Sequence, residues 1–156
     1  MDLVKDNATK YLNNIQKKII ASVYNAVRKD TTLLTNKIKN DKLSNNVLNV
    51  RTGKLRNSIQ DRVFNSGNMV KGEVFSDSKY ANVHEYGFNG SQTVKAHMRT
   101  LTKVYGRSVQ PQEILISSFT RNMKLKQSSF MRSALNELQQ TIYSDIEVAV
   151  KSGLNG

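Results

Sequence analysis

The chain contains no cysteine, which excludes a disulfide framework, cysteine-ligated zinc and a thiol nucleophile. It contains no tryptophan either, and its aromatic residues are only 5 Phe and 6 Tyr. The core is therefore expected to be built from Leu, Ile and Val. Histidine occurs twice, as His84 and His97. His84-Glu85 begins like a metalloprotease helix motif, but Phe88 stands where the second histidine would fall. Without clustered carboxylates the two histidines make a poor metal site. Gly87, Gly90 and Gly106 do not form a phosphate-binding loop, and no Gly-x-Ser-x-Gly elbow occurs. No catalytic residue, metal or cofactor is implied, and the chain is expected not to be an enzyme. No apolar run approaches the roughly 18 residues needed to span a bilayer. The first six residues lack the basic start and apolar core of a signal peptide. The expected site of synthesis is the cytoplasm, with no membrane partner.

What is present in excess is positive charge. The chain of 156 residues carries 24 basic and 12 acidic side chains, a formal net charge of +12. Residues 1–60 hold 12 basic and 4 acidic groups, and residues 91–126 hold 7 and 1. The segments 61–90 and 127–156 are each net −1. Such a balance points to polyanions or to acidic protein partners, against the plainer reading of a well-solvated surface.

The hydrophobic pattern predicts an α+β fold in a single domain. A long N-terminal helix is expected over residues 2–29. Val4, Ala8, Tyr11, Leu12, Ile15, Ile19, Val23 and Val27 share one face, and Asp2 and Asp6 sit favourably near its start. Asp30-Thr31-Thr32 interrupts or bends it, it resumes to about Asn40, and Asn45-Asn46 reads as loop. Thr52 is the expected cap of a short helix through Ser58. Residues 61–76 read as a hairpin turning on Asn65-Ser66-Gly67-Asn68, and residues 79–87 as a helical turn or two stopped by Gly87. Residues 88–91 read as loop. Residues 92–105 alternate with period two and predict a strand, with Lys95, His97, Arg99 and Lys103 on one face. Gly106 through Gln112, containing the single proline Pro111, reads as a turn. A further strand then runs from Ile114 to about Arg121. Together these make a long second hairpin with a candidate basic contact face of Lys95, Arg99, Lys103, Arg107 and Arg121. A last helix is expected over residues 129–150, capped by Ser128 or Ser129, stopped by Gly153 and packed on a central antiparallel sheet.

Three motifs stand in order between the two long helices. They are Arg51-Thr-Gly-Lys-Leu-Arg-Asn-Ser-Ile59, Tyr80-Ala-Asn-Val-His-Glu-Tyr-Gly87 and Phe130-Met-Arg-Ser-Ala-Leu135. In this order and spacing the chain resembles a family of tailed-bacteriophage proteins known as tail-component, neck or tail-completion proteins. The resemblance runs from residue 1 to about 150. Short members of that family pass almost directly from the Glu-Tyr-Gly motif to a Pro-Phe pair that opens the last helix. Here about 40 residues intervene and Ser129 precedes Phe130, so the chain looks like a longer branch with a hairpin insertion at about 91–126.

The resemblance implies a structural virion protein at the head–tail junction. It would be made in the host cytoplasm and assembled as a homo-oligomeric ring, a hexamer, around the DNA channel. Other neck and tail proteins are the implied partners. Candidate subunit or partner contacts are Arg51, Arg56, Tyr80, Glu85, Tyr86, Phe130 and Arg132. Glu85 and Arg132 could instead pair and satisfy backbone donors, fixing the last helix against the loop. The aromatics and the short capped helix serve folding equally well. The extra hairpin is expected to reach an adjacent subunit and add strand edges to a shared sheet. Two alternatives stay open, a nonspecific DNA-binding protein and a transient tail-assembly factor. Tyr105 and Phe119 are the nearest candidates for base stacking.

Overall fold

A computed structural model describes residues 2–48 and 52–155, with the side chains of residues 2–6, 45 and 46 left aside. The fold is α+β. Helix α1 (Asp2–Lys37) runs on without a break into a π-helical segment (Ile38–Asn46). After a short helix α2 (Lys54–Asn57) come strands β1 (Ile59–Ser66) and β2 (Met69–Ser76) and helix α3 (Lys79–Tyr86). Four strands follow, β3 (Phe88–Val94), β4 (His97–Val104), β5 (Arg107–Ile116) and β6 (Phe119–Leu125), and α4 (Phe130–Asn155) ends the chain.

Helix α1 does not stop at Asp30-Thr31-Thr32. These residues disfavour helix by only tenths of a kcal/mol each. The Thr31 hydroxyl bonds back to the carbonyls of Val27 and Arg28 at 2.8 and 3.0 Å, so it can be buried inside the helix without a polar cost. Asn45-Asn46, expected as loop, forms the last turn of the π-helical segment. Thr52 is a weak cap, its Oγ1 standing 3.5 Å from the Lys54 amide, and Gly53 occupies the N-cap position of α2.

Helices α1 and α4 lie antiparallel. Ile19 meets Gly153, Lys29 pairs with Asp145 at 2.7 Å, and Lys37 and Lys42 both reach Glu137. The helices approach closely because Gly153 has no side chain. A Cβ there would stand 2.6 Å from the Ile19 Cα. Gly153 is therefore a contact residue inside α4, not the stop expected of it, and the helix continues to Asn155.

The β1–β2 hairpin turns on Gly67-Asn68, with Gly67 at φ +62, and lies along α1. Asn68 accepts from Gln16 at 2.6 Å near one end, and Gly72 packs directly on Val27 and Thr31 near the other. Its outward face holds Arg62 between the rings of Phe64 and Phe75, with Glu73 bound to Arg62 and Lys71. The core gathers where the end of α1, the π-helical segment, β1, α3 and the start of α4 meet. Ile38, Leu43, Ile59, Ala81, Phe130 and Ala134 form it, flanked by Leu34, Leu48, Leu55, Val74 and Met131.

The strands form three separate two-stranded ladders, β1–β2, β3–β6 and β4–β5, in place of one central sheet. Helix α4 consequently finds its main apolar partner in α1. At the other end of the molecule residues 7–14 of α1 are all exposed, including Tyr11 (67%) and Leu12 (64%). Of the apolar stripe predicted for the helix, Ala8, Tyr11 and Leu12 are thus exposed, and cover begins at Ile15.

The Gly153 contact is testable by substitution. Alanine raises helix propensity by about 1 kcal/mol, yet the added methyl collides with backbone. Gly153→Ala is expected to lower stability by about 1–3 kcal/mol, read as a fall in urea midpoint. A rise would show that the helices can part without cost.

Candidate interaction surface

Residues 88–125 form an arm. Strands β3 and β6 pair antiparallel from Phe88↔Leu125 to Val94↔Phe119, and β4 and β5 continue the ribbon from His97↔Ile116 to Val104↔Arg107. At about 3.3 Å per residue the arm extends about 50 Å. Outside their own ladders its strands have few tertiary contacts.

The expected strand over residues 92–105 is split at Lys95-Ala96, and the opposite strand at Ser117-Ser118. The expected loop at 88–91 is the start of β3. The expected turn over 106–112 is only Tyr105-Gly106, both at positive φ (+48 and +80), the backbone of a tight hairpin turn. Pro111 lies within β5. Leu101 pairs with Gln112 and Lys103 with Ser108, so Thr102 faces Val109, Gln110 and Pro111 across a bulge. The missing proline N–H costs nothing at a bulge, where the ladder is already open.

The basic residues do not make one face. Lys95 sits at the break. Arg99 is opposite Ile114, and Lys103 is opposite Ser108 on that same face, together with His97 and Leu101. Arg107 pairs with Val104 on the other face, and Arg121 stands opposite Gln92 in the lower ladder, beside Gly90↔Met123 and Val94↔Phe119. The break sets Lys95 and Arg121 apart from the upper ladder, and Arg107, directly opposite Val104, is one residue out of phase with Ser108; the bulge adds two residues and leaves the phase unchanged. Lys95, Arg99, Lys103, Arg107, Arg121 and Lys124 have no ion-pair partner among the described residues. Apolar groups are exposed beside them, including Met98, Val109, Leu115, Phe119 and, at the tip, a fully exposed Tyr105.

The arm is rooted at the Glu-Tyr-Gly motif. Helix α3 is capped by the Ser78 hydroxyl, which accepts from Tyr80 N at 3.3 Å. Glu85, 4% exposed, points from its last turn to the start of α4. Its carboxylate accepts from the Met131 amide (2.8 Å), the Arg132 amide (3.1 Å) and Arg132 Nε (3.0 Å). The carboxylate thereby does the capping expected of Ser128 or Ser129, and it adds a negative charge where the α4 dipole favours one. Ser129 has φ +47, and its hydroxyl accepts from Gln127 Nε2 at 2.6 Å. The returning chain is tied to α3 by Ser128 N to His84 O (2.8 Å) and Ser129 N to Glu85 O (3.3 Å).

Tyr86 lies under the Arg132 guanidinium, 4.9 Å from its carbon. Gly87, at φ +79, lets the two chain segments at the arm's root pass. A Cβ there would meet the Leu125 carbonyl and the Gln127 amide, each at 3.0 Å.

Of the candidate contact residues, Glu85 and Phe130 are internal. Phe130 is 0% exposed in the core, and Glu85 is consumed by the bonds just described. Neither offers a surface to a neighbour. The expected Glu85–Arg132 ion pair is present. Tyr80 and Tyr86 are exposed, not core. Arg56 is half-buried and donates to Asn40 Oδ1 at 2.9 Å. Arg51 lies outside the described residues.

Asp30 is the residue that sequence reasoning missed. It occupies an inward position of α1, in phase with Val23, Val27, Leu34 and Ile38, and that phase was the available signal. It is 4% exposed, and neither carboxylate oxygen accepts a hydrogen bond from a donor among the described residues. Burial pushes its pKa up to about 6, helped by the adjacent Asp145 carboxylate, with which protonated Asp30 can bond, while Lys29 opposes the rise. Asp145 is itself held below the usual carboxylate range by Lys29.

Among the described residues no helix is long and apolar enough to cross a membrane, and no group of three His, Asp or Glu side chains could hold a metal ion. Comparison with protein-family models, curated proteins and solved structures returns no match to this chain.

Two predictions follow from these carboxylates. Glu85→Ala should cost about 2–4 kcal/mol of stability, because it strips the cap and leaves three donors without their acceptor. Arg132→Ala, at a half-exposed partner, should cost about 1 kcal/mol. Equal losses in chemical denaturation would mean that the pair, and not the cap, carries the stability. For Asp30 the sign runs the other way. Between its ordinary value near 3.8 and about 6 the folded state holds a proton that the unfolded chain has released. Asp30 therefore opposes folding at neutral pH, and this opposition fades as pH falls through that window. Asp30→Asn should be more stable than the parent at pH 7 by about 2 kcal/mol, the difference shrinking toward pH 4. A less stable variant at pH 7 would contradict this account.

Proposed function

We propose that this chain is a structural subunit of a tailed-bacteriophage particle, a neck or tail-completion protein that forms a ring around the DNA channel at the head–tail junction. The observation that carries the assembly part of this reading is the arm. A two-stranded ribbon is at best marginally stable in water on its own. This one exposes Met98, Val109, Leu115, Phe119 and a strained Tyr105, so its stable state is one in which another molecule covers it. The exposed Tyr11 and Leu12 of α1 support the same reading.

The virion part rests on the three motifs. Two of them meet at one joint, where Glu85 of the second caps the helix opened by Phe130 of the third. The first contributes Leu55 beside the same core. An arm that leaves the body at this joint is a natural place for a longer family branch to differ from a shorter one. A body with an arm that docks on the next copy makes head-to-tail contacts, and such contacts close into rings.

The six arm cations without an ion-pair partner among the described residues favour a second reading, loose contact with DNA phosphates. It predicts DNA affinity that falls steeply with salt and needs no oligomer. A transient assembly factor would share the ring contacts but be missing from finished particles.

Because Gly90 pairs with Met123, residues 91–122 can be replaced by an Asn-Gly turn without disturbing the root. The shortened chain is expected to fold and to stay monomeric by light scattering where the full chain associates. Equal association of the two would reject the arm as the assembly element. Antibody labelling of purified particles should mark the head–tail junction. Particles without the protein would leave the assembly-factor and DNA-binding readings.

A further inference from the structure

Between α1, β2 and α4 lies an open-mouthed cavity of about 380 Å³. Leu34, Val70, Leu135, Ile142 and Ile146 make its wall apolar, and Asp30 borders the same cavity with its two carboxylate oxygens sealed beneath the wall. An unpaired carboxylate among aliphatic side chains is costly, and a group left in that state calls for an explanation, a ligand being one. The cations of this chain that stand nearby are already engaged. Lys29 is bound to Asp145, and Lys71, on the cavity's edge, to Glu73. Asp145, which with Lys29 borders a separate hollow, lies close enough to Asp30 that two carboxylates share one ammonium.

The chain itself carries the complement. Six arm cations have no carboxylate partner among the described residues, and Glu113 is the one acidic residue between 88 and 125. A lysine or arginine side chain has the shape that the cavity calls for, an aliphatic stem with a cationic end. The arm is long enough to leave its own body, and a deep charged contact would fix its register on a neighbour.

We propose that the cavity receives a lysine or arginine side chain from the arm of a second copy, its stem against Leu34, Leu135 and Ile142 and its cation met by Asp30, whose sealed carboxylate turns into the cavity on docking. This deepens the ring reading and rests on it. The contact joins two different patches, arm tip or shaft to body groove, as ring closure requires.

The test uses the full chain in sedimentation velocity across a concentration series. Asp30→Asn should weaken association by tenfold or more while raising the thermal midpoint of the free subunit. A purely structural aspartate would not produce that pair of opposite effects. A chain with Lys95, Arg99, Lys103 and Arg107 changed to Gln should weaken association similarly. Combined with Asp30→Asn, it should lose no more than the worse of the two alone. n-Hexylammonium chloride should compete with association in the parent and have no effect on the Asp30→Asn chain, and n-hexanol should not compete. Oligomers of parent strength in Asp30→Asn, or losses that multiply, would overturn the inference and leave the ring standing. A parent chain that is monomeric at every concentration would overturn both.

Discussion

One buried carboxylate organises this molecule. Glu85 sits at the end of a two-turn helix, sealed from water, and spends its oxygens on the first amides and the first arginine of the C-terminal helix. A helix start leaves amides without partners, and in a buried place water cannot supply them. Glu85 meets that need from a segment 46 residues away. The start of α4 is thereby placed on the core, with Phe130 fully buried beside Ile38 and Ile59. The same residue's carbonyl ties down the chain returning from the arm, and Gly87 lets the outgoing chain pass it. Everything between residues 88 and 125 can project because its two ends are clamped at one point.

The body is held by close contacts more than by a large core. Few side chains are fully buried, and most of these are aliphatic or Phe130. Gly72 brings the first hairpin onto α1, and Gly153 brings α4 onto α1, at distances where any side chain would collide. Lysine–carboxylate bridges then lace α1 and its π-helical extension to α4. These pairs are partly exposed and contribute little each. Their value lies in register, since the same helices leave an apolar cavity with Asp30 in its wall. A protein selected for stability alone would fill that cavity and replace the aspartate. Both features lower the stability of the isolated chain.

Much of the architecture could be read from periodicity. The two long helices, the Gly67-Asn68 hairpin and the Gly87 stop all follow from local rules of spacing and backbone freedom. The Glu85–Arg132 pair was accessible because both residues lie in motifs that stand out. The misreadings share one cause. Asp30-Thr31-Thr32 looks like a helix break, Ser129 like a cap, Gly153 like a stop and Pro111 like a turn, because each residue type usually plays that part. In each case a contact that the residue type alone does not announce changed the outcome. Thr31 bonds back within a helix held by packing, Glu85 displaces the serine, Ile19 needs the missing side chain of Gly153, and a bulge absorbs Pro111.

The sequence by itself determined the α+β class, the excess of positive charge, the lack of thiol chemistry and the alternation that makes a long arm. These depend on composition and on short-range period, which need no knowledge of the fold. Only the tertiary structure decided that the arm stands apart from the body, that its cations scatter over both faces, and that a carboxylate with no donor among the described residues is buried beside a cavity between α1, β2 and α4. Those facts depend on which distant segments meet. Burial and pairing are properties of that meeting, and no stretch of sequence carries them alone.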